Sequence, residues 1–124
     1  MIRARLDQNS TGLLHSINNL VKKLFSIEII RKTTSHVAEY SDRNKLIEVD
    51  SAAANILTLN ADVFSAGNQF LVSQYGAGQI TFTAGPGVTI RSSGNKYKTS
   101  AINSLVTVIV RTPTDYYIAG DLTA

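Results

Sequence analysis

The stretch "YGAGQITFTAGPGVTIRSSG", from Tyr75 to Gly94, decides how the chain is read. Glycine recurs as Gly76-Ala77-Gly78 and as Gly85-Pro86-Gly87, with an alternating apolar–polar run between. Such a pattern either cradles a phosphate or turns corners in a β-sheet. A Walker loop needs Lys-Ser/Thr after its last glycine and then a helix, so that amide groups and the helix dipole meet the phosphate. Here Gly78 is followed by "QITFT" and Gly87 by "VTI", both with strand periodicity. The dinucleotide fingerprint needs a third glycine and a helix, and neither follows. These glycines therefore read as corner residues, supplying positive φ or close backbone approach at hairpin turns, with Pro86 fixing φ between two of them.

The same period of two covers the chain from Phe25 on. "FSIEII", "HVAEY", "NKLIEV", "NILTL", "QFLVSQ", "QITFTA", "GVTIRSS", "SLVTVIVR" and "DYYIAGDL" each read as a strand. They are separated by turn chemistry such as "SDR", "NAD", "SAGN" and "TPTD". Many short strands with close turns predict a mainly β fold, an antiparallel β-sandwich or jelly-roll-like domain over residues 31–124. "LVTVIV" is apolar on both faces: Leu105 and Ile109 point one way, Val106, Val108 and Val110 the other. Such a strand is central in its sheet or lies against another subunit.

Before Phe25 the period changes. Leu6, Leu13, Leu20 and Ile27 are spaced by seven, and Ser10, Ile17 and Leu24 form a second set offset by four. This heptad pattern predicts an amphipathic helix over about 11–24, widened by Leu14 and Val21, with Asn9 or Ser10 as its cap and Gly12 weakening its first turn. The helix either packs on its own β-domain or bundles with identical chains.

Charge divides the chain as well. Residues 1–35 hold six basic residues (Arg3, Arg5, Lys22, Lys23, Arg31 and Lys32) against Asp7 and Glu28, while residues 36–124 hold six basic and seven acidic ones. A basic arm of residues 1–30 suits docking on an acidic surface. Its docking and oligomerisation candidates are Arg3, Arg5, Leu13, Ile17, Leu20, Lys22, Lys23 and Leu24. No aromatic side chains interleave the basic ones before Phe25, so no base-stacking platform for nucleic acid is indicated.

Sites for chemistry are sparse. The chain has no cysteine, which excludes disulfides, thiolate metal sites and a Cys nucleophile. His15 and His36 have no metal-ligand spacing, and no cofactor is expected. Asp42 with Asp50, or Asp62 with Asp115, could pair as acid and base, but spacing does not argue for it. No serine lies in a GxSxG elbow. No apolar run approaches the length of a membrane span, and the N-terminus lacks the apolar region of a secretory signal. Tyr75, Tyr97, Tyr116 and Tyr117 are candidates for contact with a receptor or a host-surface glycan.

From Glu39 on, three stretches carry a resemblance: "YSDRNKLIEVDSAAANILTL", "GAGQITFTAGPGVTIRSSGNKYKT" and "VIVRTPTDYYIAGDLTA". In this order they resemble a β-module of tailed-bacteriophage virion appendage proteins, of tail-fibre, head-fibre or decoration type. The resemblance implies a non-enzymatic structural role in a virion, frequent trimers, and other virion proteins as partners. A chain with so short a helical arm would then be a short fibre or a capsid-surface protein. A receptor- or carbohydrate-binding module of a tail fibre is the alternative.

Overall fold

The computed structural model describes residues 12–22 and 26–124. Residues 12–22 form a helix, α1, at about 1.5 Å per residue roughly 16 Å long. Eleven strands follow: β1 (Glu28–Lys32), β2 (His36–Val37), β3 (Lys45–Val49), β4 (Asn55–Leu59), β5 (Gln69–Gln74), β6 (Ile80–Ala84), β7 (Thr89–Arg91), β8 (Lys98–Thr99), β9 (Leu105–Thr112), β10 (Asp115–Gly120) and β11 (Leu122–Thr123). Each of the nine segments read from the sequence overlaps a strand; the two-residue β8 was not foreseen, and the last segment, read as one strand, divides into β10 and β11.

The expected mainly β fold is present, but the antiparallel sandwich is not. The strands form two mixed sheets, ordered β1-β3-β5-β9-β10-β7 and β11-β8-β6-β4-β2. Five of the nine strand pairings are parallel, so the chain does not run as a series of hairpins. Instead it winds. β1 and β2, then β3 and β4, then β5 and β6, form three successive coils, each giving one strand to each sheet. This is the stacking of a β-solenoid, in which each coil buries its apolar face against its neighbours.

The step between the last two coils is constant. Leu46 lies beside Leu71 in one sheet and Leu57 beside Phe82 in the other, 25 residues apart in both cases. The corner after each coil repeats too, since Asp62 and Gly87, again 25 apart, both take positive φ, 61° and 74°. The first coil is shorter. Ile30 pairs with Ile47 and His36 with Leu57, steps of 17 and 21.

After β6 the winding stops. β8 runs antiparallel beside β6, and β9 runs antiparallel beside β5, which closes that end of the stack. β9 and β10 form a hairpin across "TPTD", with a bulge between Asp115 and Tyr116. Inward residues of both sheets make one core that includes Ile47, Leu57, Val72, Phe82, Val108 and Tyr116. Phe64 anchors it from a corner, stacked on Phe70 at 5.5 Å between ring centroids and edge-on to Tyr116 at 6.2 Å.

The glycines of the opening stretch turn the corners of a coil rather than hairpins, and they do so in two ways. Gly87 provides the positive φ that L-residues rarely adopt. Gly78 has no positive φ; its amide donates to the Ser51 carbonyl at 2.8 Å, and a Cβ there would overlap the backbone of Ala53. One supplies a dihedral and the other supplies room.

Candidate functional site

The doubly apolar strand β9 is central, between β5 and β10. Val106, Val108 and Val110 enter the core, while Leu105 and Ile109 remain exposed on the outer face of the sheet. Strand register extends that face into a row of Ile29, Leu46, Leu71, Thr107 and Ala119 across five strands. Ile27 and Ile29 are exposed as well. On α1, Leu13, Leu14, Ile17, Leu20 and Val21 are all exposed, and so is Lys22. The helix therefore does not bury its apolar stripe against its own β-domain. Arg3, Arg5, Lys23 and Leu24 lie outside the described residues.

The four tyrosines fall into different environments. Tyr116 is fully buried, and its hydroxyl donates to the Asn60 carbonyl at 2.6 Å, so it cannot meet a receptor. Burial, with a smaller contribution from the negative charge of Asp62, raises its pKa above the ordinary tyrosine value. Tyr75 is half-exposed, but the Arg31 guanidinium lies 4.8 Å from its ring centroid. Arg31 is itself held by Glu48 at 2.8 Å and Asp50 at 3.4 Å; chiefly the hydrogen bond it donates to Glu48 raises its pKa above the usual value.

Tyr97 and Tyr117 are brought together. Both line a groove of about 810 Å³ with Arg91, Ser92, Ser93 and Asn95. The groove forms where β7 leaves the side of β10. The two strands pair from Asp115–Thr89 to Tyr117–Arg91, and then the chain turns away through Ser92 to Tyr97. Gly94 (φ 72°) and Asn95 (φ 54°) shape that departure, and the Asn95 amide donates to the Ser92 carbonyl at 3.0 Å. The Tyr97 hydroxyl sits 3.3 Å from Asn95 Oδ1.

An ion cluster supports one wall. Arg91 Nε donates to both carboxylate oxygens of Asp115, at 2.9 and 3.0 Å, and Arg111 Nη1 donates to Oδ2 at 3.0 Å. Two guanidinium groups thus share one carboxylate. Arg91 and the polar residues of the "SSGN" turn were not anticipated. The signal was present, because "IRSSGNKY" places a cation, an amide and hydroxyls within a few residues of an aromatic ring.

Other candidates for chemistry are structural. His36 Nε2 lies 2.8 Å from Asp42 Oδ2, both residues are buried, and the same oxygen accepts the Glu39 amide at 2.8 Å. This ties down the turn after β2. Asp50 faces Arg31, and Asp115 faces its two arginines. Among the described residues no group of three or more His, Asp or Glu side chains converges. No described helix is long and apolar enough to cross a membrane.

No protein-family model, curated protein or solved structure matches the chain.

Proposed function

We propose that this chain is a non-enzymatic structural protein of a tailed-phage virion: a short fibre or capsid-surface protein, of head-fibre or decoration type, docked by its N-terminal arm. The observation that carries the reading is the uncovered stripe of α1. Leu13, Ile17 and Leu20 keep heptad spacing on a helix whose described residues are all exposed. Large apolar side chains repeated along one line of an unburied helix are stable in water only when another surface covers them. The largely apolar row on the outer sheet face, with Thr107 as its one polar member, continues the same requirement. A homotrimer meets both, with the helices bundled and the sheet faces turned toward one another, and the basic residues of the arm left to meet other virion proteins. The resemblance of residues 39–124 to virion appendage modules supports this assignment.

The test has two parts. Light scattering behind size exclusion should give about three times 13.4 kDa; a monomer at micromolar concentration in both free and particle-bound forms contradicts the trimer. Co-sedimentation with particles lacking this component should recover the full chain and not a chain without residues 1–25. Equal recovery of the two would put the anchor in the β-domain.

A second reading rests on a separate observation. Tyr97 and Tyr117, singled out as receptor contacts, line one groove with hydroxyl, amide and guanidinium groups. Such a lining suits a saccharide, so the β-domain would carry a receptor-binding site as well as a structural role.

A further inference from the structure

The geometry points to a carboxylated saccharide as the ligand of the groove between β7, the 92–97 turn and β10; this inference rests on the second reading above. The groove's volume, about 810 Å³, lies in the range of small-ligand sites. Its more exposed aromatic surface is Tyr117, which is nearly half exposed and stands on a sheet strand that fixes its backbone. A ring so placed takes the C–H face of a sugar. Ser92, Ser93 and Asn95 lie across the groove and offer both donors and acceptors to ring hydroxyls.

The acid preference comes from Arg91. Its Nε is occupied by Asp115, which fixes the guanidinium plane, while its Nη groups have no hydrogen-bond partner among the described residues. The Arg91 side chain is 51% exposed and lines the groove. A guanidinium fixed at one edge and open at the other is arranged for bidentate capture of a second carboxylate. Local charge favours it as well. Asp115 is shared with Arg111, so the cluster keeps one net positive charge, and Lys96 lies in the turn with Lys98 just beyond it. Asp121, two residues beyond Ala119, has Oδ2 engaged by the Leu105 amide at 3.1 Å.

Glucuronate and glucose differ only in carrying a carboxylate or a hydroxymethyl group at C6, which makes them a matched pair of probes. In an amide-resolved NMR titration of the full chain, glucuronate should shift residues 91–97 and 117–119 saturably. Glucose should bind about tenfold more weakly, the scale of a charge-assisted bidentate contact. Arg91→Gln should bring glucuronate down to the level of glucose, with Arg111 still pairing Asp115. Tyr117→Ala should weaken both sugars. Raising salt to about 0.5 M should weaken glucuronate alone, since screening acts on the charge. Equal binding of the two sugars overturns the acid preference and leaves the saccharide site standing. Acetate binding as tightly as glucuronate overturns the saccharide component. Binding of neither sugar overturns both.

Discussion

Gly78 stands one coil along from Ala53, at a contact where a single added carbon would overlap the Ala53 carbonyl. Both residues occupy the same corner of successive coils, two positions before Ile80 and Asn55, which pair across β6 and β4. The distance between coils is set by the backbone hydrogen bonds of the parallel strands, about 4.8 Å. A side chain at that corner has to displace backbone rather than another side chain.

Gly78→Val should therefore destabilise the fold by about 1–3 kcal/mol through overpacking. Gly87→Val should cost a comparable amount for a different reason, dihedral strain at positive φ. Gly87→Asn is the discriminating variant. Asn tolerates that φ, and the equivalent Asp62 already adopts it at 61°, so a cost below about 1 kcal/mol is expected. Chemical denaturation of the three variants checks this. Millimolar ATP should leave every melting temperature unchanged; a rise would restore the phosphate-loop reading.

Strand existence was legible from the alternation of residues such as Ile47, Val49, Leu57 and Leu59, because period two records which residues face a core. It does not record what a strand pairs with. A parallel coil and an antiparallel hairpin bury the same alternate positions, so the direction of pairing was lost. The 25-residue step leaves only a faint mark in sequence: Leu46 and Leu71, Ala52 and Ala77, Thr58 and Thr83, Val63 and Val88 agree, with little between them. The tyrosines were legible as a type and not as a place. Parity along "DYYIAG" puts Tyr116 and Tyr117 on opposite faces, but only the fold says which face is the core.

Removing residues 1–25 should leave the β-domain folded. The described part of α1 buries none of its residues, and β1 starts at Glu28. Far-UV circular dichroism should keep its β signature, and cooperative melting should persist at low protein concentration. Loss of the cooperative transition would mean that the arm completes the core.

Tyr116→Phe should cost about 1 kcal/mol near neutral pH, the net worth of the hydrogen bond to the Asn60 carbonyl, leaving that oxygen without its donor. It should also change the alkaline limb. The folded-state pKa of Tyr116 lies above the unfolded value of 10.0, so the folded protein holds a proton that the unfolded chain gives up. Stability from this source is complete below about pH 10 and is lost as pH rises through the folded pKa. Urea midpoints measured from pH 8 upward should fall less steeply above pH 10 in Tyr116→Phe than in the wild type.

Asp42→Ala should cost about 2 kcal/mol or more. It strips the acceptor from both the buried His36 ring and the Glu39 amide. The loss should be local as well as global. Hydrogen exchange ought to quicken first at residues 36–44, ahead of the β5–β9 pair at the centre of the larger sheet.

The antiparallel closure at β8 and β9 separates the length of this molecule from its ends. Because β3–β4 and β5–β6 repeat at a constant 25 residues, a duplicate of one coil can be inserted between them with its corners already suited to both neighbours. Each such duplication would move the edge that carries β10 and β7 about 4.8 Å farther from β1 and leave the groove unchanged. The chain thus behaves as a ruler with separable graduations. Its reach can change through gene duplication in fixed increments, while the surfaces it presents at either end stay the same.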